Sequence, residues 1–198
     1  MSTRVLLVVA VEHEAVHLPS DLPLLITGVG KVHAALQVSR ALADPARRPS
    51  LVVNVGTAGA LHSGMVGTHL IGRVVQHDLD SRLLEQLTGH RYGSPIDLGD
   101  GPTLATGDVF VSDPARRDAL AAHADLVDME GYAVAAACRL AGVPVRLVKH
   151  VSDSADSDAQ RSWLGSVHEA SRVLGAWLAT HLHQLAGAPT GEASGAAD

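Results

Sequence analysis

Residues 130–153 of the chain have the sequence EGYAVAAACRLAGVPVRLVKHVSD. The first part, 130–141, is followed by Gly142 and, two positions later, by Pro144. Helices commonly end in this way. The run 145–151 follows, rich in β-branched and aliphatic residues, and is typical of a short strand covered on both faces. This segment therefore predicts a helix followed directly by a buried strand.

The same alternation extends from this segment in both directions. We expect further strands at 5–11, 22–27, 51–55, 69–75 and 104–111. We expect further helices at 31–43, 115–123 and 159–185. Strands and helices that alternate in this way predict an α/β fold, namely a three-layer α/β/α sandwich with a mixed central sheet. Ligands of such sheets bind beyond the carboxyl ends of the strands.

Length and composition indicate one domain of ordinary size. The chain has 198 residues, of which 46% are hydrophobic, so it can bury a core of its own. We assign residues 1–185 to this domain. Residues 186–198 are mainly Ala, Gly, Pro, Ser and Thr without a periodic apolar face, and we expect them to form a disordered tail.

Charge and cysteine content argue against several classes of protein. The formal charge is -6 and the arginines are scattered, so nucleic acid is a poor partner. The single cysteine, Cys138, permits no intrachain disulfide and suits a reducing compartment. The first apolar run is only about seven residues long and resembles neither a signal peptide nor a membrane span. We therefore expect a cytoplasmic protein with no membrane and no nucleic acid as partner.

Two glycine-rich segments stand at strand ends. In 28–32, GVGKV, glycines before a helix can offer N–H groups to an anion, or they can form a tight turn. The phosphate-loop pattern is incomplete, because Leu25 replaces a glycine and Val32 replaces Ser or Thr. A dinucleotide fingerprint also lacks its third glycine. In 54–61 small residues let a ligand approach the backbone, and Thr57 adds a hydroxyl.

Acidic side chains stand at two of the expected strand ends and at the start of an expected helix. Glu14 follows the first strand. Glu130 opens a helix, where its carboxylate can cap the helix or accept two hydrogen bonds from a cis-diol such as that of ribose. Asp153 closes the strand 145–151, where it can form a helix-start turn or hold a proton for a leaving group. The segment 77–80, HDLD, can bind a divalent ion or form a polar strand end or subunit contact.

Taken together and in this order, these segments resemble the purine nucleoside phosphorylase/uridine phosphorylase superfamily, and within it the 5′-methylthioadenosine/S-adenosylhomocysteine nucleosidases. The segments that carry the resemblance are 10–14, 28–32, 54–61, 66–67 with 77–78, 106–110, 127–131 and 151–156. The resemblance implies hydrolysis of the N-glycosidic bond of a purine nucleoside, with release of adenine from 5′-methylthioadenosine or S-adenosylhomocysteine. It also implies a homodimer that needs neither cofactor nor metal.

The resemblance assigns roles to nine residues. Asp153 would protonate N7 of the purine, Glu14 would activate water, and Glu130 would bind the ribose hydroxyls. The other six would hold the substrate, the water or the catalytic aspartate: Met129 under the sugar, Phe110 stacked on the base, Val111 at the base edge, Thr57 and Lys149 near the water or the hydroxyls, and Ser152 beside Asp153. These roles suit a reaction that develops positive charge on the sugar and negative charge on the base.

The chain departs from the family pattern in three places. The segment between Glu14 and Gly28 is too brief for the usual extra hairpin, and the stretch 80–104 lacks room for a full helix. Lys149 stands where the nucleosidases usually have arginine, so a point charge replaces a planar fork. Other activities stay open: a phosphate-dependent phosphorylase, a hydrolase of futalosine or deoxyadenosine, and a nucleoside-binding protein without turnover. Glu14 would repel a phosphate dianion, which favours hydrolysis.

Overall fold

The structure is a computed structural model, and it describes residues 4–155 and 159–187. The described residues form nine strands: β1 (Val5–Val9), β2 (Leu24–Ile26), β3 (Leu51–Ala60), β4 (Thr68–Leu70), β5 (Arg73–Gln76), β6 (Ile96–Asp97), β7 (Thr103–Thr106), β8 (Leu126–Asp128) and β9 (Val145–Asp153). They also form six α-helices: α1 (Glu12–Ala15), α2 (Lys31–Ala41), α3 (Ser81–Thr88), α4 (Pro114–Ala121), α5 (Gly131–Ala141) and α6 (Ala159–Gly187).

In the described part of the chain all the strands belong to one mixed sheet. The order is β2-β1-β3-β8-β7-β5-β6, and β9 pairs with both β3 and β4. Strand β3 pairs in parallel with β1 through its first half and with β9 over most of its length. Its last two residues pair antiparallel with β8. The long strand β3 therefore brings the ends of β1, β8 and β9 close to one another.

Helices cover both faces of this sheet. Strand β1 is apolar at every position because it packs on both sides. Val8 packs against apolar residues of α2 and α5, whereas Leu7 and Val9 pack against those of α6. All three side chains are fully buried. Alternate side chains of a strand point to opposite faces, so a strand between two helical layers needs apolar residues at every position. The three-layer α/β/α sandwich expected from the sequence is confirmed.

Several elements differ from those expected. The expected strand 69–75 is two strands, because the strand is interrupted between Leu70 and Arg73. The backbone of Gly101 approaches closely there, since a Cβ at Gly72 would lie 2.6 Å from it. The strand expected at 104–111 ends at Thr106, whereas β3, which was expected to end at residue 55, continues to Ala60. The short strands β6 and β8 were not predicted.

The stretch 80–104, where no full helix was expected, contains the short helix α3, which has only two turns. The Asp80 side chain accepts a hydrogen bond from the Leu83 N–H at 2.9 Å and caps the start of α3. Gly89 then ends the helix in a left-handed conformation, with φ of +73°. A cap at each end makes so short a helix possible.

The expected tail begins inside a helix. Helix α6 extends through residues 186–187 to its end at Gly187, and the remaining tail residues, 188–198, lie outside the described residues. Among the helices of the described residues, none has both the length and the apolar character to span a bilayer.

Candidate active site

A cavity of about 270 Å³ lies where the ends of β1, β8 and β9 meet β3. Its lining includes eight of the nine residues singled out from the sequence: Glu14, Thr57, Phe110, Val111, Met129, Glu130, Ser152 and Asp153. The ninth, Lys149, is not among the lining residues. Three acidic side chains that are far apart in the chain therefore converge on one cavity.

Glu14 is buried on the short helix α1, and four donors hold its carboxylate. Oε2 accepts hydrogen bonds from the N–H groups of Ala10 at 3.1 Å and Val11 at 3.4 Å. Oε1 accepts from the N–H and the hydroxyl of Thr57, at 2.9 and 3.1 Å. Hydrogen bonds to a carboxylate are strong and stabilise its negative charge away from bulk water. The Glu14 carboxylate is thus held in one position at the cavity wall.

The glycines of the segment 54–61 leave room for acidic side chains. A Cβ at Gly56 would lie 3.0 Å from Oε1 of Glu14, and a Cβ at Gly59 would lie 3.0 Å from Oδ1 of Asp153. Larger residues at either position would displace these carboxylates. Thr57 and Gly59 also line the cavity, so a ligand can approach the strand there.

Glu130 does not cap α5. Its Oε1 accepts a hydrogen bond from the Gly30 N–H at 2.7 Å, whereas the start of α5 is held by Asp128, whose Oδ2 accepts from the Gly131 N–H at 2.8 Å. The capping interpretation of Glu130 is therefore wrong. Gly28 and Gly30 have φ values of +83° and +93°, which form a tight turn that glycine adopts readily. The N–H group that could have bound a phosphate instead binds Glu130.

The environment of Glu130 perturbs its ionisation. Burial, and next the negative charge of Asp128, raise the pKa of Glu130 to about 7, while Lys149 and the Gly30 N–H act in the opposite direction. Glu130 is 8% exposed. Near neutral pH this carboxyl therefore exchanges between its protonated and ionised forms, and it can donate as well as accept a hydrogen bond.

Lys149 lies behind the cavity wall. Its Nζ donates to Oδ2 of Asp128 at 2.9 Å, and both side chains are almost fully buried. Burial lowers the pKa of Lys149, but Asp128, Glu130 and Glu14 together raise it above its usual value. Lys149 therefore balances the negative charge of the acidic groups. A direct contact of Lys149 with water or substrate hydroxyls stays a prediction.

Thr106 and Asp128 support the site, and the sequence analysis assigned a role to neither. The Thr106 hydroxyl donates to Oδ1 of Asp128 at 2.6 Å and accepts from the Tyr132 N–H at 2.9 Å. The pairing of β7 with β8 places Thr106 opposite Asp128. The position of Asp128 just before a helix was a usable signal for its capping role, but the contact with Thr106 depends on strand register.

Asp153 ends β9 and is oriented by its neighbours. Its Oδ2 accepts from the Ser152 hydroxyl at 2.7 Å and its Oδ1 from the Ala155 N–H at 2.9 Å. Ala155 has φ of +47°, a conformation that a residue with a Cβ rarely adopts, and its side chain is fully buried. Such backbone strain is found where a side chain is held in one place. The family segment continues to Asp156, which lies outside the described residues.

Phe110 and Val111 line the cavity from the irregular loop between β7 and α4. Asp108 joins this loop to α2, because its Oδ1 accepts a hydrogen bond from the Lys31 N–H at 2.7 Å. The Asp108 N–H also donates a hydrogen bond to Asp78 at 2.9 Å. Phe110 is 37% exposed at the cavity mouth. Its ring is therefore available to a flat ligand, and stacking on the base stays a prediction.

The segment 77–80 forms a polar strand end. Asp78 makes an ion pair with Lys31 at 2.5 Å, and Asp80 caps α3. The His77 ring packs on the backbone of Gly107, where a Cβ would lie 2.3 Å from the ring. Within residues 4–155 and 159–187, no group of three or more His, Cys, Asp or Glu side chains could hold a metal ion.

With this geometry, comparison with known proteins identifies the family. The model of the phosphorylase superfamily matches residues 78–184 of the chain, which is more than half of its length. The chain belongs to this superfamily. The resemblance drawn from the sequence motifs is thereby confirmed.

Relatives within the superfamily are 5′-methylthioadenosine/S-adenosylhomocysteine nucleosidases. The protein of Bacillus velezensis is 32% identical over an alignment of 183 positions, and the match covers 76% of this chain and 78% of the relative. The protein of Bacillus subtilis is 30% identical over an alignment of 187 positions, and the match covers 78% of this chain and 80% of the relative.

Solved structures of the superfamily share the fold. An S-adenosylhomocysteine nucleosidase from Streptococcus pyogenes, in complex with 5-methylthiotubericidin, has a TM-score of 0.79 and 26% identity, and the match covers 93% of this chain and 98% of the other. A futalosine hydrolase from Helicobacter pylori has a TM-score of 0.78 at 19% identity, over 91% of this chain and 97% of the other. The latter likeness concerns the fold alone.

Proposed function

We propose that the chain hydrolyses the N-glycosidic bond of 5′-methylthioadenosine or S-adenosylhomocysteine and releases adenine. The convergence of Glu14, Glu130 and Asp153 on one cavity carries this proposal. The names of the relatives from Bacillus velezensis and Bacillus subtilis support the choice of substrates.

The three carboxyl groups divide the chemistry between the base and the sugar. Asp153 acts as the general acid and gives a proton to N7 of the adenine ring as the bond between C1′ and N9 breaks, so the electron pair leaves with a neutral base. The sugar develops positive charge, which the nearby carboxylates stabilise. Glu14 takes a proton from water while the water oxygen bonds to C1′. Glu130 binds the 2′ and 3′ hydroxyls and holds C1′ between the two other groups.

Water rather than phosphate is the nucleophile in this proposal. The Glu14 carboxylate occupies the wall beside β1 and β3, held there by four hydrogen bonds. A phosphate dianion at this place would meet a fixed like charge, whereas a water molecule gains a hydrogen-bond acceptor. The Gly30 N–H, the other anion-binding group considered, already binds Glu130.

Chromatography of reaction mixtures tests the proposal. We expect adenine from 5′-methylthioadenosine or S-adenosylhomocysteine in phosphate-free buffer, and we expect Asp153→Asn to lower kcat by about 10²- to 10⁴-fold. Ser154→Ala is the matched control, because Ser154 is an exposed neighbour that does not line the cavity. Turnover that requires phosphate and yields a sugar 1-phosphate would identify a phosphorylase. Binding of either substrate without release of adenine would identify a binding protein.

We also propose that the chain acts as a homodimer in the cytoplasm. Val32 and Leu36 lie one turn apart on α2 and are 66% and 64% exposed, so α2 presents an apolar surface that a second subunit can cover. Cys138 is a buried free cysteine, which suits a reducing compartment. Sedimentation equilibrium should give twice the monomer mass. A monomer with full activity would contradict the dimer.

A further inference from the structure

Helix α1, which carries Glu14, needs support from other elements. It has four residues, from Glu12 to Ala15, and an isolated helix of one turn is unstable in water. The four hydrogen bonds to the Glu14 carboxylate fix only the end of its side chain. Its backbone must be fixed separately if the carboxylate is to keep one position against the cavity.

Ser171 of α6 supplies this support. Its hydroxyl donates to the main-chain carbonyl oxygen of Glu14 at 2.9 Å and accepts from the His17 N–H at 3.1 Å. Ser171 is fully buried, with 0% exposure. One hydroxyl thus binds α1 and the second residue beyond it, and Ser171 lies 157 residues after Glu14 in the chain.

Gly175 lies one turn further along α6, on the same face as Ser171. A Cβ at this position would lie 2.1 Å from the carbonyl oxygen of His17. Only glycine therefore lets the backbone of α6 approach this segment closely enough for the Ser171 hydroxyl to reach both of its partners. Ser171 and Gly175 form one contact surface for α1.

We infer that Ser171 is a positioning residue for Glu14, since its hydroxyl fixes the backbone that holds the carboxylate against the cavity. This inference rests on the proposed function, in which Glu14 activates water. Ser171 is not among the residues that line the cavity, so it has no direct contact with substrate. Its removal should affect the catalytic step and leave substrate binding nearly unchanged.

The test is a double-mutant cycle with Glu14→Gln and Ser171→Ala, followed by measurement of kcat and KM for adenine release. In the wild-type background we expect Ser171→Ala to lower kcat about tenfold, because small misplacement of a catalytic group is costly, and to leave KM unchanged within about twofold. In the Glu14→Gln background it should have almost no further effect, because residues that act as one unit are not additive.

Two controls separate positioning from general loss of structure. Thr180→Ala removes a hydroxyl from the same helix that bonds to Ala176, Trp177 and His181 of that helix, and it should leave kcat and KM unchanged. Ser171→Cys keeps a donor at the same position, although the thiol is larger and donates more weakly, so its kcat should lie between those of Ser171→Ala and wild type. If Ser171→Ala does not fold, the cycle is run with Ser171→Cys.

Each outcome decides the inference. An equal fall in kcat in both backgrounds, an unchanged kcat, or an effect on KM alone would overturn it. If wild type releases adenine and Glu14→Gln is impaired while Ser171→Ala is fully active, the positioning role fails and the proposed function stands. If wild type releases no adenine, or Glu14→Gln is fully active, the proposed role of Glu14 fails first.

Discussion

Glu130 shows how a residue gains an unusual property from its neighbours. It is buried beside a second carboxylate, Asp128. The ammonium group of Lys149 pairs with Asp128 and also attracts the negative charge of Glu130. Burial favours the neutral form of a carboxyl, and a like charge favours it further. The raised pKa of about 7 therefore reflects the geometry at the ends of β8 and β9 rather than the glutamate alone.

This pKa predicts how stability depends on pH. The pKa of Glu130 rises from 4.5 in the unfolded chain to about 7 in the folded chain, so the unfolded chain loses this proton first as pH rises. The contribution of Glu130 to stability is therefore complete below about pH 4.5 and is lost between pH 4.5 and 7. Glu130→Gln removes the titration, so the Tm of this variant relative to wild type should rise between pH 5 and pH 8.

Thermal denaturation at both pH values measures this difference. Glu85→Gln is the control, because Glu85 is an exposed glutamate on α3, and its Tm difference from wild type should change little with pH. A Tm difference for Glu130→Gln that is the same at pH 5 and pH 8 would show that Glu130 ionises normally in the folded chain.

The sequence predicted the residues of the site better than the contacts among them. Glu14 and Asp153 follow apolar runs, and the ends of neighbouring strands meet, so their place in one cavity could be inferred. Lys149 lies within an apolar run, so its place in a buried strand could also be inferred. Its partner, Asp128, could not be inferred, because the register of β9 against the rest of the sheet is set by tertiary packing. Ser171 gave no signal at all, since a lone serine in a helix is ordinary.

At the scale of elements, the packing of α6 on α1 determines where Glu14 stands. The close approach at Gly175 predicts that Gly175→Ala destabilises the protein, because the added methyl group meets the His17 carbonyl oxygen at 2.1 Å. Overpacking of this kind costs about 1–3 kcal/mol. Gly165→Ala is a matched control on the same helix, since a Cβ there has no atom within 4 Å.

Urea denaturation of the two variants distinguishes packing from helix propensity. Alanine is a better helix former than glycine by about 1 kcal/mol, so Gly165→Ala should be neutral or stabilising. Gly175→Ala should shift the midpoint to lower urea concentration despite the same gain in propensity. Equal midpoint shifts for both variants would mean that α6 moves away from His17 without cost.

The elements that the sequence missed are those that depend on tertiary structure. Strand β8 has three residues and β6 has two, and runs this short become strands only by pairing with longer neighbours. The extension of β3 through 56–60 contains two glycines, which local preference disfavours in a strand, but both leave space for carboxylates. Longer elements such as α2, α5 and β9 were predicted within a few residues of their ends.

At the scale of the whole molecule, the cavity joins segments that are distant in the chain. Its lining extends from Ala10 to Asp153, and it includes residues of β3, of β8 and of the loop before α4. A ligand that binds only this assembled cavity stabilises the folded chain by mass action, by about 2.7 kcal/mol at a concentration 100 times its Kd. Adenine, the product of the proposed reaction, should therefore raise the Tm of the whole domain.

Phe110 should account for part of this increase. Its ring lines the cavity mouth, and an aromatic pair contributes about 0.5–1.5 kcal/mol beyond the area that it buries. Phe110→Ala should weaken adenine binding by about two- to tenfold on that basis and reduce the rise in Tm at a fixed adenine concentration. Leu140→Ala, at an 88% exposed position near the end of α5, should keep the full rise. A rise in Tm that is identical for wild type and Phe110→Ala would place the base away from this ring.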